Sequence, residues 1–210
     1  MQSHLYEKII IGIMYITIVI LALVSYQTSP VWMYDCLAMI FLIVILTLVY
    51  KPLHINHAIL TFCFIAIMFH MLGLFGFYSS EPLGLRYDHY VHFFGGMAVC
   101  MIAYNYLERY HSNKKFKNIH RPAVILLSIF VAMGLGGIIE MTEYVGWYVY
   151  GEGEGLFLLG AGDYEGASGN PREWINSSLD QIFNAIGAIF GAILMSLKVK
   201  WMDKKDHFGL

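Results

Sequence analysis

Apolar residues dominate six stretches of the chain, and short polar or proline-containing segments separate these stretches. A bilayer core about 30 Å thick requires about 20 mostly apolar residues per helix, and each stretch approaches or exceeds that length. The pattern therefore predicts an all-α, polytopic membrane protein whose 210 residues form a single transmembrane domain. The six predicted spans cover residues 9–26, 31–50, 55–77, 87–106, 122–150 and 174–201.

Basic residues are distributed unevenly between the predicted loops. Of the thirteen lysines and arginines, only Arg86 and Arg172 fall on one side of the six spans. Cytoplasmic loops are enriched in basic residues, so we expect both termini in the cytoplasm and the protein in the cytoplasmic (inner) membrane. The basic loop 109–121 fits a topology signal that also attracts anionic lipid. The acidic, glycine-rich loop 151–173, on the opposite side, fits either a solvated connector or a lid.

Composition narrows the class of protein further. Charged residues make up 13% of the chain and hydrophobic residues 58%, whereas about 25% of the residues in a soluble domain are charged. This composition excludes an ordinary water-soluble domain. The formal net charge of -2 gives no indication of nucleic-acid binding. The three cysteines lie far apart in apolar stretches, which excludes a disulfide framework or a zinc finger.

Spans four to six are less apolar than the first three because ionisable residues interrupt them. Charged side chains within a membrane span are energetically costly and commonly functional. With the expected orientation, these residues fall in the outer half of the membrane, although they come from separate spans. The residues that we predict to form one site are Asp88, His92, Glu140, Glu143, Asp180 and Asn184.

Three further polar residues occur at a similar depth, but we expect each of them to have a structural role and not to bind a ligand. Asp35 and His89 are expected at the membrane interface, in contact with water. His70 is expected to form a hydrogen bond that supports helix packing rather than to bind a ligand. These three residues are therefore not included in the predicted site.

Helical spacing places the predicted site residues on faces that also carry glycines. Asp88 and His92 are four residues apart and share one face of a helix. The same argument applies to the two glutamates of span five and to Asp180 and Asn184 of span six. Small residues let membrane helices approach closely, so we expect spans four to six to pack along these faces. Their glycines are Gly95 or Gly96, Gly136, Gly137, Gly187 and Gly191.

The acids of the predicted site need a compensating partner, because no lysine or arginine lies near them within the spans. Several carboxylates in one low-dielectric site cannot all stay ionised and unpaired. Either some of them are protonated and act as a general acid–base pair, or a cation lies among them. A mixed histidine and carboxylate set suits a divalent transition metal, whereas carboxylates alone suit a harder cation. The candidate metal ligands are Asp88, His92, Glu140, Glu143 and Asp180.

Three short elements, in chain order, resemble elements of known membrane protein families. Residues 88–93 resemble the D-x-x-x-H-F element of VanZ-like proteins and of the related YjdF-type inner-membrane proteins. Residues 140–143 resemble the E-x-x-E of the YjdF type, and residues 180–187 resemble the D-x-x-x-N-x-x-G of VanZ-like domains. The resemblance covers residues 86–194 and is closer to the YjdF type, because VanZ-like proteins often carry E-x-x-Q at Glu143. It implies a small helical membrane protein, and the antibiotic-resistance role of VanZ-like members is not transferred. The site residues that the resemblance implies are Asp88, His92, Glu140, Glu143, Asp180 and Asn184.

These observations lead to one main functional hypothesis and two alternatives. The main hypothesis is an integral membrane enzyme that uses an outward-facing metal or proton-sharing cluster to hydrolyse or transfer a group on a lipid or lipid-linked envelope molecule. The alternatives are a proton- or ion-coupled transporter, since intramembrane acids often relay protons, and a non-enzymatic scaffold. The expected partner in each case is membrane lipid rather than nucleic acid.

Overall fold

The computed structural model describes residues 5–28, 32–112, 120–150 and 171–208. These residues form six α-helices and no strand, which confirms the all-α prediction. Two short 3-10 helices, Phe77–Ser79 and Pro82–Gly84, lie between the third and fourth α-helices. Most of both predicted loops, the basic one and the acidic one, lies outside the described residues. The α-helices are α1 (Leu5–Thr28), α2 (Trp32–Val49), α3 (His57–Leu74), α4 (Tyr87–Ser112), α5 (Arg121–Tyr150) and α6 (Pro171–Phe208).

Helix α4 is central to the bundle, because it packs against α3, α5 and α6. Its most extensive contact is with α6, and α5 packs against both of these helices. Helices α1, α2 and α3 form a second group, which meets the first group through α3 and α4. The main apolar core includes Met14, Ile43, Met71 and Met97 and so runs through both groups. The packing of α4, α5 and α6 can therefore bring polar side chains from three helices together.

The turn between α3 and α4 fixes the first turn of α4. The Tyr87 hydroxyl donates a hydrogen bond to the Phe69 carbonyl at 3.1 Å, and the two rings stack with centroids 5.8 Å apart. The Tyr87 backbone N–H donates to the Ser80 carbonyl at 3.1 Å. Because Tyr87 is buried, these contacts hold the start of α4 against the end of α3.

Four helices contain a stretch that is long and apolar enough to cross a membrane, judged by length and composition alone. The apolar stretch of α2, Asp35–Val49, is shorter, and α4 does not qualify because ionisable residues occupy its first turns. Large apolar side chains such as Phe130 and Ile193 are exposed on the outer surface of the bundle. These features support a multi-pass membrane protein. Among the described residues, however, four helices rather than the predicted six are long and apolar enough to span a membrane. The four stretches are Leu5–Gln27, His57–Leu74, Arg121–Glu143 and Ser177–Lys198.

Candidate metal centre

His92 of α4 lies among three carboxylates that come from three helices. Its Nε2 atom is 3.3 Å from Oδ1 of Asp88, one turn earlier on the same helix. Its Nδ1 atom is 3.5 Å from Oε1 of Glu140 on α5. Its Nε2 atom is also 4.0 Å from Oδ1 of Asp180 on α6. The structure therefore brings three other predicted site residues around the imidazole ring of His92.

Asn184 of α6 contacts the same ring from the side of Glu140. Its Nδ2 atom lies 3.2 Å from His92 Nδ1, within hydrogen-bond distance. The Asn184 side chain also packs against Gly136 of α5, where even a Cβ atom would collide with the amide. Asn184 is buried, so it is fixed between α4 and α5. Its geometry suits a residue that orients the His92 ring.

His89 belongs to this cluster, although the sequence analysis assigned it to the membrane interface. It is 5% exposed, and its Nδ1 atom lies 3.2 Å from Asp180 Oδ1. Its ring stacks on Phe183 with the centroids 4.4 Å apart and the planes inclined by only 6°. The predicted contact of His89 with water is therefore wrong. The spacing contained a relevant signal, because His89 and His92 are three residues apart and share a helix face.

Close helix packing at glycines explains why α4 and α6 deliver these side chains to one place. A Cβ atom at Gly96 would collide with the Asn184 backbone, and one at Gly187 would collide with the Phe93 carbonyl. Gly191 similarly contacts Met97. The prediction that glycine faces pack these helices together is confirmed at these positions and at Gly136. Gly95 and Gly137, by contrast, border open space.

The cluster is enclosed by the helices, and the prediction of an outward-facing site is wrong. None of the five predicted site residues in the cluster exposes more than 9% of its surface. The reason is the close approach of α4 and α6, which leaves the polar side chains inside the bundle instead of at its edge. A low-dielectric environment strengthens electrostatic interactions between these groups and makes an uncompensated charge costly. The five residues are Asp88, His92, Glu140, Asp180 and Asn184.

Asp35 is the second residue for which the predicted contact with water is wrong. Its side chain is fully buried between helices, with 0% exposure. The adjacent Cys36 is equally buried, and its Sγ atom lies 3.5 Å from Ser25 Oγ. Packing of α2 against α1 therefore buries this end of α2. A contact between two helices cannot be predicted from the residue pattern of one of them.

His70 of α3 approaches the cluster from the other helix group. Its Nδ1 atom lies 2.9 Å from the Tyr78 hydroxyl, so the predicted hydrogen bond is confirmed. Its Nε2 atom is buried and has no hydrogen-bond partner within the described parts of the chain. The neighbouring Phe69 stacks on Tyr87, which precedes Asp88 on α4, so α3 also borders the site.

Two groups of described residues place three potential metal-ligating atoms within 4.8 Å of one another. One group is Asp88, His89 and Asp180, and the other is His92, Glu140 and Asp180. All members are buried. Glu143 is half-buried and belongs to neither group. Nitrogen and carboxylate donors together suit zinc and other divalent transition metals better than calcium or magnesium.

The fold and the cluster together define an all-helical membrane protein with a buried histidine–carboxylate centre. The family model of DUF2238, described as predicted membrane proteins, matches residues 7–200, and the chain belongs to this family. The match also covers most of α1 to α3, where no motif could be assigned. It fits the YjdF-type part of the resemblance, to which this family is related, and not the VanZ-like part. No curated protein and no solved structure matches the chain significantly.

Proposed function

We propose that the cluster binds a divalent metal ion and that the protein is a membrane enzyme acting on a lipid or lipid-linked envelope molecule. The proposed ligands of this ion are His92, Glu140 and Asp180, with Asp88 beside them. The observation that carries the proposal is the position of His92 within 4.0 Å of three buried carboxylates. The reaction would be hydrolysis or group transfer.

Burial and charge favour a metal ion over an empty cluster. Three carboxylates and two imidazoles are removed from water, and each ionised carboxylate needs compensation there. A divalent ion compensates more than one carboxylate at once and uses imidazole nitrogen as a further ligand. Zinc ligands lie about 2.0–2.2 Å from the metal, so neighbouring ligand atoms lie roughly 3.3 Å apart. The separations of 3.2 to 4.0 Å around Asp180 are compatible with this spacing.

The chemistry that such a site can support is the attack of water on a polar bond. In hydrolysis, the water oxygen forms a bond to the electrophilic atom of the substrate, the bond to the leaving group breaks, and the water proton ends on the leaving group. A divalent ion stabilises the negative charge that develops during this step. In a centre with one ion, Asp88, which lies beside His92 but outside its ligand group, is placed to carry the proton.

The proposed arrangement in the membrane follows from the distribution of charge along the chain. In this proposal, all six helices cross the cytoplasmic membrane and both termini lie in the cytoplasm. The first turns of α4 then fall in the outer half of the bilayer, where a lipid of the outer leaflet or a lipid-linked envelope precursor is within reach. Eleven basic residues on one side and two on the other support this orientation.

The proposal can be tested on the full-length protein purified in detergent and loaded with zinc. Elemental analysis is expected to find bound zinc in the wild type and a loss of at least about half of it in Glu140→Gln, because a neutral amide is a poor metal ligand. Glu81→Gln is the matched control, since Glu81 is exposed in the turn before α4. Lipid extracts of cells that express the two variants should differ from each other, with only Glu81→Gln matching the wild type.

Two results would overturn the proposal. Wild-type protein that retains no zinc, manganese or iron after loading and desalting would exclude the metal site. Proton-driven uptake into proteoliposomes by such metal-free protein, abolished in Glu140→Gln, would instead identify a proton-coupled transporter.

A further inference from the structure

We infer that the cluster binds two divalent ions that share Asp180, an inference that rests on the proposed metal site. The two ligand groups, Asp88–His89–Asp180 and His92–Glu140–Asp180, have only Asp180 in common. Each group supplies one histidine and two carboxylates. Two-metal sites of hydrolytic enzymes hold their ions about 3.5–4 Å apart, which requires ligand groups that adjoin in this way.

Asp180 is the residue whose position makes two ions possible. Its side chain is 1% exposed, and its Oδ1 atom faces both histidines, at 3.2 Å from His89 Nδ1 and 4.0 Å from His92 Nε2. Because both contacts involve Oδ1, this oxygen is placed to bridge the two ions. The two histidines are three residues apart on α4 and present their rings to the same carboxylate.

His89 has the orientation expected of a metal ligand rather than of a mobile polar residue. Its ring lies flat against the Phe183 ring, with centroids 4.4 Å apart, and this stacking directs Nδ1 towards Asp180. Contacts that fix the orientation of a ligating histidine are a general feature of metal sites. Phe183 and Asp180 are three residues apart on α6, so one face of α6 provides both the carboxylate and the stacking ring.

The charge of the cluster also favours two ions. One divalent ion leaves an excess negative charge on three ionised carboxylates, whereas two divalent ions leave an excess positive charge. An anionic substrate group, such as the phosphate of a lipid, neutralises the second arrangement and is repelled by the first. The two-ion centre therefore selects a phosphate-bearing lipid or lipid-linked molecule within the broader class proposed above.

The ratio of metal to protein tests this inference separately from the proposed function. Full-length protein loaded with zinc is expected to retain about two ions per chain, the number in a two-metal site. His89→Ala should reduce the content to about one ion, Glu140→Gln should do the same, and Asp180→Asn should remove both. One ion in the wild type, unchanged in His89→Ala, would overturn this inference and leave the proposed function intact. Absence of zinc from the wild type would overturn both.

Manganese supplies a second measurement that depends on no variant. Wild-type protein loaded with manganese is expected to give the electron paramagnetic resonance spectrum of a spin-coupled pair, because two ions that share a carboxylate lie about 4 Å apart. A spectrum of isolated manganese ions only would contradict a shared centre, even if two ions were bound.

Discussion

Each ring nitrogen of His92 faces a different set of partners. Nε2 lies near Asp88 and Asp180, whereas Nδ1 lies near Glu140 and Asn184. A ligating histidine binds a metal through one nitrogen and forms a hydrogen bond through the other, and this hydrogen bond fixes both tautomer and ring orientation. The Nδ1–H of a ligating His92 donates this hydrogen bond, and the Asn184 amide can accept it by turning its oxygen towards the ring. Asn184 is therefore a positioning residue for His92 rather than a ligand.

Replacing Asn184 should weaken metal binding without abolishing it. Loss of such an outer partner typically lowers metal affinity about 10–100-fold, and we expect Asn184→Ala to fall in this range because the ligands themselves remain. Zinc affinity can be measured by competition with a fluorescent chelator. Asn184→Asp, which retains a group able to accept a hydrogen bond, should recover part of the lost affinity. An affinity equal to that of the wild type in Asn184→Ala would contradict this role.

The two glutamates of α5 should differ in their effects on metal binding. Glu140 is buried against His92, whereas Glu143 is half-buried and lies outside both ligand groups. We therefore expect Glu143→Gln to retain the zinc content of the wild type, while Glu140→Gln loses at least about half of it. Equal losses in the two variants, measured by elemental analysis, would show that both glutamates are ligands, as the sequence motif alone suggested.

At the scale of single residues, the sequence predicts the type of chemistry in the cluster better than it predicts which residues belong to the cluster. Asp88 and His92 are four residues apart in a span, so their shared face follows from helix geometry alone. His89 lies at the edge of the same face, and its burial depends on Phe183 of α6, which is 94 positions away in the chain. Asp35 has the same explanation, because the adjacent Cys36 packs against Ser25 of α1. Contacts between distant segments decided both errors.

Packing between α4 and α6 depends on two glycines that have no room for a side chain. A Cβ atom at Gly187 would collide with the Phe93 carbonyl, and one at Gly96 with the backbone of Asn184. Backbone atoms cannot move aside as a flexible side chain can, so a substitution here must separate the helices. The helix interface and the geometry of the cluster are therefore coupled.

Gly187→Ala should destabilise the protein and reduce zinc binding together. Overpacking a close contact costs about 1–3 kcal/mol, and separation of α4 from α6 moves Asp180 away from the histidines. Gly137→Ala is the matched control, because its Cβ would meet open space and alanine favours a helix over glycine by about 1 kcal/mol. Thermal unfolding in detergent should thus show a lower midpoint for Gly187→Ala only. An unchanged midpoint for this variant would contradict the close approach.

At the scale of elements, apolar patterning predicts where helices lie but not which of them cross the membrane. All six predicted stretches coincide with helices. Two of them do not qualify as spans, because the apolar stretch of α2 is too short and α4 carries ionisable residues in its first turns. The polar residues that lower the hydropathy of α4 are buried against α5 and α6, so they do not contact lipid. Hydropathy treats these residues as polar whatever surrounds them, whereas the energetic cost of placing them in a membrane depends on their surroundings.

For the whole molecule, the central question is whether α4 crosses the membrane. The described residues offer two well-separated reporters: Leu83, which is 95% exposed in the turn before α4, and His120, which is exposed just before α5. A spanning α4 places them on opposite sides of the bilayer. The three native cysteines are buried, so cysteines introduced at these two positions can be labelled against a low background.

In intact cells or spheroplasts, a membrane-impermeant maleimide should label Leu83→Cys at once and His120→Cys only after permeabilisation. The physical reason is the excess of basic residues on the side of His120, because cytoplasmic loops are enriched in basic residues and the proposed orientation places that side in the cytoplasm. Labelling of both positions from outside, or of neither, would show that α4 does not cross the bilayer. The opposite pattern, with only His120→Cys labelled, would keep α4 as a span but reverse the orientation and place the cluster in the inner half of the membrane. An outer-leaflet substrate then could not reach it, so this experiment also tests the proposed substrate class.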